Sequence, residues 1–275
     1  MKGIISIFLI ILSINIIASE KEEIDKKEIR LSAFHYPPYM DKTLENNGLF
    51  CELILEAYKA VGIDVEFNFY PLRRSTQYVI EGRSLGQLGT IWNFPIEEKG
   101  NLYFVPIFYY KIVGFYLKKN YKTIEIKNLN ELRKYRISVI LGSSDEQVLK
   151  SNENLIVESV SNMEQLFKQV YLGRSDIAFA VELSGINTLN NYYPEEIKKW
   201  GITEDYIQKI NAHVVFSKKY PNYVEYAEKL KLGLMLIKEN GIFSKIFKKY
   251  YEDYYEKNDI YIDMLENTEE IINAN

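Results

Sequence analysis

The chain has 275 residues, with 34 Lys and Arg against 38 Asp and Glu, a formal charge of −4, and 47% hydrophobic side chains. The interspersed, mildly acidic charge excludes a basic stripe for nucleic acid. The single cysteine, Cys51, excludes an intramolecular disulfide, and the two histidines, His35 and His213, are too far apart in sequence to suggest a zinc site.

At the N-terminus, residues 1–19 read MKGIISIFLIILSINIIAS, with an early lysine, an apolar run from Ile4 to Ile17 and small residues at Ala18 and Ser19. This predicts an export signal cleaved near Ala18 or Ser19. The apolar run is shorter than the roughly 18–20 residues needed to span a bilayer, although an uncleaved anchor is the competing reading. No cysteine near the cleavage point marks a lipid attachment. Cleavage would leave roughly 255 residues, enough for one large domain or two lobes.

Residues 29–34 carry apolar side chains at 29, 31 and 33 and predict a short strand. Pro37 and Pro38 between Tyr36 and Tyr39 stop it, because proline fixes φ and has no ladder donor. A helical stripe at 49, 50, 53, 54, 57 and 61 ends at Gly62. Strict alternation at 63, 65, 67 and 69 predicts the next strand, giving a βαβ unit and a parallel pair. A short helix over 75–81 is closed by Gly82.

A second set begins with a short strand at 114–117. A helix over 128–135 follows, with Asn130 as a possible cap, then a strand at 137–141 and the stretch GSSDEQVLK opening a helix. A strand at 155–157 precedes a helix with Ser161 and Glu164 as a capping box and Gly173 as its stop. Residues 177–181 are continuously apolar, as in a parallel strand buried on both faces. A strand at 214–216 precedes two helices, near 223–238 and 242–255, split at Gly241. No internal repeat or low-complexity linker separates the halves, so they are expected to be lobes sharing strand connections.

The markers YPPY, NGLFCELILEAYKAVG, YPLRRSTQYVIEGR, NLYFVPIFYY, LRKYRISVILGSS, MEQLFKQVYLGRSDIAF, HVVFSKKYP and LIKENGIFSKIFKKYY occur in this order. Together they resemble the type II periplasmic solute-binding proteins, the extracellular solute-binding family 3 that includes amino-acid receptors of ABC transporters. The resemblance covers about residues 29–255. It implies an α/β, two-lobed type II periplasmic-binding-protein fold, each lobe a mixed, mainly parallel sheet flanked by helices, with two hinge strands. Lobe 1 would take 20–114 plus 214–275 and lobe 2 would take 115–213. The hinge would run near 112–116 and 212–215, and ligand would sit between the lobes, beyond the carboxyl ends of the strands.

On that resemblance Tyr36 is an aromatic wall at a strand end, although a core or surface tyrosine would look the same. Arg74 fits a family position whose forked guanidinium could bind an anion or fix the cleft wall; a solvated arginine at a helix start fits equally. Thr90, Trp92 and Asn93 lie in a loop after a strand, with Trp92 a stacking platform or a core residue beside Phe94. Ser143 and Ser144 open a helix and could converge with backbone N–H groups on an acceptor, or simply cap it. Glu182 ends a strand and could pair with a ligand cation, while Asp176 of the family's GR-x-D is more often structural.

Two departures stand out. The family's arginine for the ligand α-carboxylate falls here on Glu98, and its aspartate for the α-amine falls on Val181. A carboxylate cannot replace a bidentate carboxylate clamp, so an ordinary α-amino acid is in doubt unless Arg74 supplies the clamp. The expected function is an exported, monomeric, non-catalytic receptor passing a small polar solute to a membrane permease of an ABC transporter. Neither cofactor nor metal is implied, because the chain has no phosphate-cradling loop and no Gly-x-Ser-x-Gly elbow. The alternatives are a dehydratase-like enzyme on the same fold and a free-standing sensory binding protein.

Overall fold

The computed structural model describes residues 28–251. The expected export signal at 1–19 and the tail beyond 251 lie outside the described residues. Eight strands form one hydrogen-bonded ladder: β1 (Glu28–Ala33), β2 (Asp64–Phe69), β3 (Gly86–Thr90), β4 (Leu102–Leu117), β5 (Arg136–Ile140), β6 (Ile156–Val160), β7 (Ile177–Val181) and β8 (Trp200–Ser217). Their spatial order is β2-β1-β3-β8-β4-β7-β5-β6. β1 lies parallel to β2 and β3, and β5 lies parallel to β6 and β7, so each half repeats one arrangement.

The halves are joined by β4 and β8, antiparallel from Leu102↔Ser217 to Leu117↔Trp200. One end of β8 pairs with β3 over Gly86–Thr90, and the far end of β4 pairs with β7 over Ile112–Phe115. The chain therefore crosses between halves along two adjacent strands, the geometry of a hinge. Sequence reading found only the ends of these strands, at 114–117 and 214–216. Pro106 and Gly114 punctuate the apolar run of β4, and the structure absorbs both as register shifts at Pro106/Phe108 and Val113/Phe115. Every residue from Val105 to Leu117 is buried, so there is no alternation to read.

The helices are α1 (Leu49–Lys59), α2 (Leu72–Ile80), α3 (Ser144–Lys150), α4 (Met163–Tyr171), α5 (Glu182–Tyr192), α6 (Tyr223–Glu239) and α7 (Ile242–Tyr251). α1 buries Leu49, Phe50, Leu53, Ile54 and Ala57 in a core shared with β1, β4, β8, α6 and α7. It is tied to α6 by the Tyr58 hydroxyl donating to the Tyr226 carbonyl (3.0 Å). Glu52 ties it to α7, accepting from Lys249 (3.1 Å) and Tyr250 (2.9 Å). A second core joins β4 and β7 to Leu166, Phe167 and Val170 of α4 and to Ile186 and Leu189 of α5.

Three local readings are corrected. α2 starts at Leu72 rather than Ser75, because Pro71 accepts from the N–H groups of Arg74 (2.9 Å) and Ser75 (3.0 Å). The segment 129–134 is a 3₁₀ turn capped by Asn128, whose side chain accepts from the Asn130 N–H (3.0 Å), so Asn130 is the donor and not the cap. The cap of α4 is Asn162, accepting from the Gln165 N–H (2.9 Å), while Ser161 donates to the Gln165 side chain (2.9 Å). The helix α5 was not foreseen. It follows β7 without a loop, and Gly185 and the polar run dilute its stripe. Gly185 is required there, because a Cβ would overlap the Phe115 ring.

Candidate functional site

The corner after β1 is built from the helix that follows it. The N–H groups of Leu49 and Phe50 at the start of α1 donate to the carbonyls of Pro38 (3.0 Å) and Tyr39 (2.9 Å). Gly48, at φ +95°, permits this approach, since a Cβ there would sit 2.5 Å from the Pro38 oxygen. The corner closes on itself through the Tyr36 N–H and the Met40 carbonyl (2.7 Å). Tyr36 is backed by an aromatic ladder: it stacks on Tyr39 at 5.7 Å and meets the edge of Tyr110 at 6.1 Å. Burial raises the Tyr36 phenol well above its ordinary range, so it stays a neutral, amphipathic wall.

Two adjoining cavities of about 770 and 890 Å³ open at this corner. Both are lined by His35, Tyr36, Ile140, Ser143, Asp145 and Val181, which therefore form a common floor. The residues come from both halves: β1 and its corner on one side, the ends of β5 and β7 and the start of α3 on the other. The first cavity adds Arg73 and Thr76 of α2 and the loop residues Thr90, Trp92 and Asn93. The second adds Asp41, Glu164, Ser184 and Asn187.

Of the residues expected from sequence, the structure brings Tyr36, Thr90, Trp92, Asn93, Ser143 and Ser144 to the first cavity. Asn93 is held in place by accepting from the Thr90 N–H (2.7 Å). Trp92 is 57% exposed at the rim, and Leu141 of the other half is 65% exposed on the same cavity. Arg74 lines neither cavity; its neighbour Arg73 lines the first. Glu182 also lines neither and is buried as the first residue of α5, while Val181, before it, reaches both cavities. Glu98, at the family's arginine position, lies in a 3₁₀ segment off the cavities and accepts from Asn101 (3.3 Å).

The start of α3 differs from the expected acceptor-binding turn. Ser143 is spent on the helix: its oxygen accepts from the Glu146 N–H (3.2 Å) and its hydroxyl donates to Ile140 (2.6 Å). The Gly142 N–H is taken by Glu146 (2.6 Å), whose carboxyl is lowered to about 2 by Lys150, Ser159 and that N–H. The side chain presented to the cleft is Asp145, only 5% exposed, and its carboxyl is pushed up to about 6 chiefly by burial. The Ser143 side chain and a backbone N–H oppose that rise, and neighbouring Glu146 adds to it. Burial also acts to raise Asp41, but the backbone and hydroxyl of Thr43, then His35 (3.4 Å away), leave its carboxyl below the ordinary range. Asp145, Arg73 and Thr76 were missed by sequence reading. An acidic residue in the first turn of a helix is an ordinary sight, and no sequence signal says which face it takes.

No family model matches the chain, and no curated protein does either. Solved structures do match. The GluR0 ligand-binding core from Nostoc punctiforme, in complex with L-glutamate, is 16% identical with a TM-score of 0.60, over 81% of this chain and 99% of that one. An ancestral arginine-binding protein bound to arginine is 20% identical with a TM-score of 0.59, over 82% and 98%. A histidine kinase sensor domain with similarity to periplasmic binding proteins is 16% identical with a TM-score of 0.60, over 82% and 97%. The chain thus has the two-lobed fold of type II periplasmic binding proteins. No helix among the described residues is long and apolar enough to cross a membrane.

Proposed function

We propose that the chain is an exported, non-catalytic receptor that captures a small polar metabolite between two lobes and hands it to an ABC-type permease. Lobe 1 would comprise residues 20–114 and 214–275, and lobe 2 residues 115–213. The observation that carries this reading is the cleft floor shared by two cavities and drawn from both halves, above two hinge-like strands. A ligand touching both walls favours the closed form by its differential affinity for closed over open. Trp92 and Leu141 face one cavity from opposite halves, so closure would also bury apolar surface. Catalysis on this fold would need an acid/base pair set beside an anion clamp.

The test is small-angle scattering together with thermal stabilisation of the purified protein against a metabolite panel. Compaction and a raised melting temperature with a defined solute support the receptor reading. The absence of both across the panel removes it. Delivery is separated from sensing by reconstituting uptake with the candidate permease: stimulated uptake supports delivery, and ligand capture without stimulated uptake removes it.

A further inference from the structure

The corner after β1 uses its carbonyls in different ways. Tyr36 accepts from the N–H groups of Tyr39 (3.0 Å) and Met40 (2.9 Å), while Pro38 and Tyr39 accept from the start of α1. Among the described residues, the Pro37 carbonyl accepts from no backbone N–H. It accepts instead from the Ser184 hydroxyl of α5, at 3.1 Å. Ser184 follows β7 and so belongs to the other half. This hydrogen bond therefore joins the two halves.

The contact is enclosed: Ser184 is 5% exposed, and both residues line the second cavity. A serine or threonine inside a helix commonly donates to the carbonyl four residues back. Thr188 does so, donating to the Ser184 carbonyl (2.8 Å), whereas the Ser184 hydroxyl reaches out of its helix. Gly185, seated against the Phe115 ring, brings this turn of α5 close to β4. Burial raises the Tyr36 phenol, and the Ser184 side chain beside it opposes that rise. Glu182 acts on the Tyr39 phenol, after burial, Tyr251 and Tyr36. The first turn of α5 thus meets the corner at Tyr36, Pro37 and Tyr39. Ser184 also stands near the hinge strands, since β7 ends at Val181, paired with Ile112 of β4. Trp92 and Leu141 line the first cavity and not the second.

We propose that the Ser184–Pro37 hydrogen bond is a latch that holds the halves together at the second cavity before any ligand is bound, leaving the Trp92–Leu141 rim as the side that opens. This rests on the two-lobed movement of the receptor reading and adds what sets the closed population of the free protein. Beside a hinge, a small separation accompanies a large one at the rim. Opening exchanges the bond for water on both groups, so the latch is worth one ordinary hydrogen bond. It biases the equilibrium toward the closed form about two- to tenfold. A ligand that needs the closed form gains apparent affinity by no more than that factor.

Pulsed electron resonance on the ligand-free protein tests this. Spin labels go on Lys168→Cys in α4 and Lys229→Cys in α6, exposed positions in opposite halves; Cys51 is fully buried and takes no label. Ser184→Ala in this labelled protein should lower the ratio of short to long distances about two- to tenfold. Thr188→Val removes a hydroxyl that bonds only within α5, and should leave the ratio unchanged. Circular dichroism spectra confirm that both variants fold. The proposal is overturned if Ser184→Ala leaves the distances unchanged or shortens them. It is equally overturned if Thr188→Val lengthens them as much, which would mean a general loosening of α5. No ligand enters the experiment, so a failed latch and a failed metabolite panel are separate results.

Discussion

Replacing Asp145 by Asn should stabilise the ligand-free protein at neutral pH. The carboxyl is raised from its ordinary 3.8 to about 6, with burial the largest cause. Between those values the folded state binds more protons than the unfolded state, so stability falls as pH rises through the window. Above about pH 6 the full difference is expressed: roughly 2 pH units at 1.36 kcal/mol each, or about 3 kcal/mol against the folded state. Asn keeps the shape while removing the charge. The variant should therefore be more stable by up to about 3 kcal/mol at pH 8, or up to about 10 °C in Tm at 2–4 °C per kcal/mol for a domain of this size. Below about pH 4 the gain should fall under about 1 kcal/mol. The assay is thermal melting of both proteins, free of ligand, at pH 4, 6 and 8, read as the difference between them. An equal or lower Tm for the variant at pH 8, or a gain that does not change with pH, would refute the reasoning. The same substitution should cost ligand affinity, the pattern expected where a site stores unfavourable charge for its ligand.

The two tryptophans separate cleanly, Trp92 at the cleft rim and Trp200 at 3% exposure in the second core. Ligand-induced fluorescence change should therefore vanish in Trp92→Phe and survive in Trp200→Phe; the reverse pattern would show that closure does not reach the rim. Asp176 accepts from the Arg136 backbone (2.8 Å) and guanidinium (2.9 and 3.0 Å), and the bonds to Arg136, with help from Tyr121, lower its carboxyl against the opposing effect of burial. A lowered carboxyl adds stability above its unfolded value and loses it as pH falls. Asp176→Asn should cost about 1–3 kcal/mol at pH 7 by denaturant titration, a cost that shrinks in acid; a cost independent of pH would sink this account. Gly233 of α6 lies against Ala57 of α1 so closely that a Cβ would overlap the Ala57 carbonyl. Gly233→Ala should lower Tm, because overpacking of about 1–3 kcal/mol outweighs roughly 1 kcal/mol of helix propensity; a higher Tm would mean the helices are not in such contact.

Legibility followed the range of the interaction. The stripes of α1, α4 and α6 and the alternation of β2 are local signals, and they were read close to their true bounds; the start of α7 was read correctly, and its expected end lies outside the described residues. Arg74 was singled out and Arg73 reached the cavity because α2 begins at Leu72. Adjacent helical residues point about 100° apart, so the choice between neighbours needs the helix's seating on the sheet. Glu182 was expected at the cleft because it ends a strand. β7 stops one residue earlier and α5 begins at once, which leaves Val181 at the cavity and carries Glu182 inside.

By itself the sequence determined the alternation of strands and helices, the corner between β1 and α1, and the resemblance that implied a two-lobed receptor. These rest on residues near one another in the chain, where periodicity, proline and glycine act directly on the backbone. Only the tertiary structure decided that β4 and β8 run through both halves, and that Asp145 and Arg73 line one cavity. Those outcomes depend on strand pairing and helix seating between segments far apart in sequence. There the energy lies in burial and in the cost of an unpaired charge, neither of which leaves a mark on a local pattern.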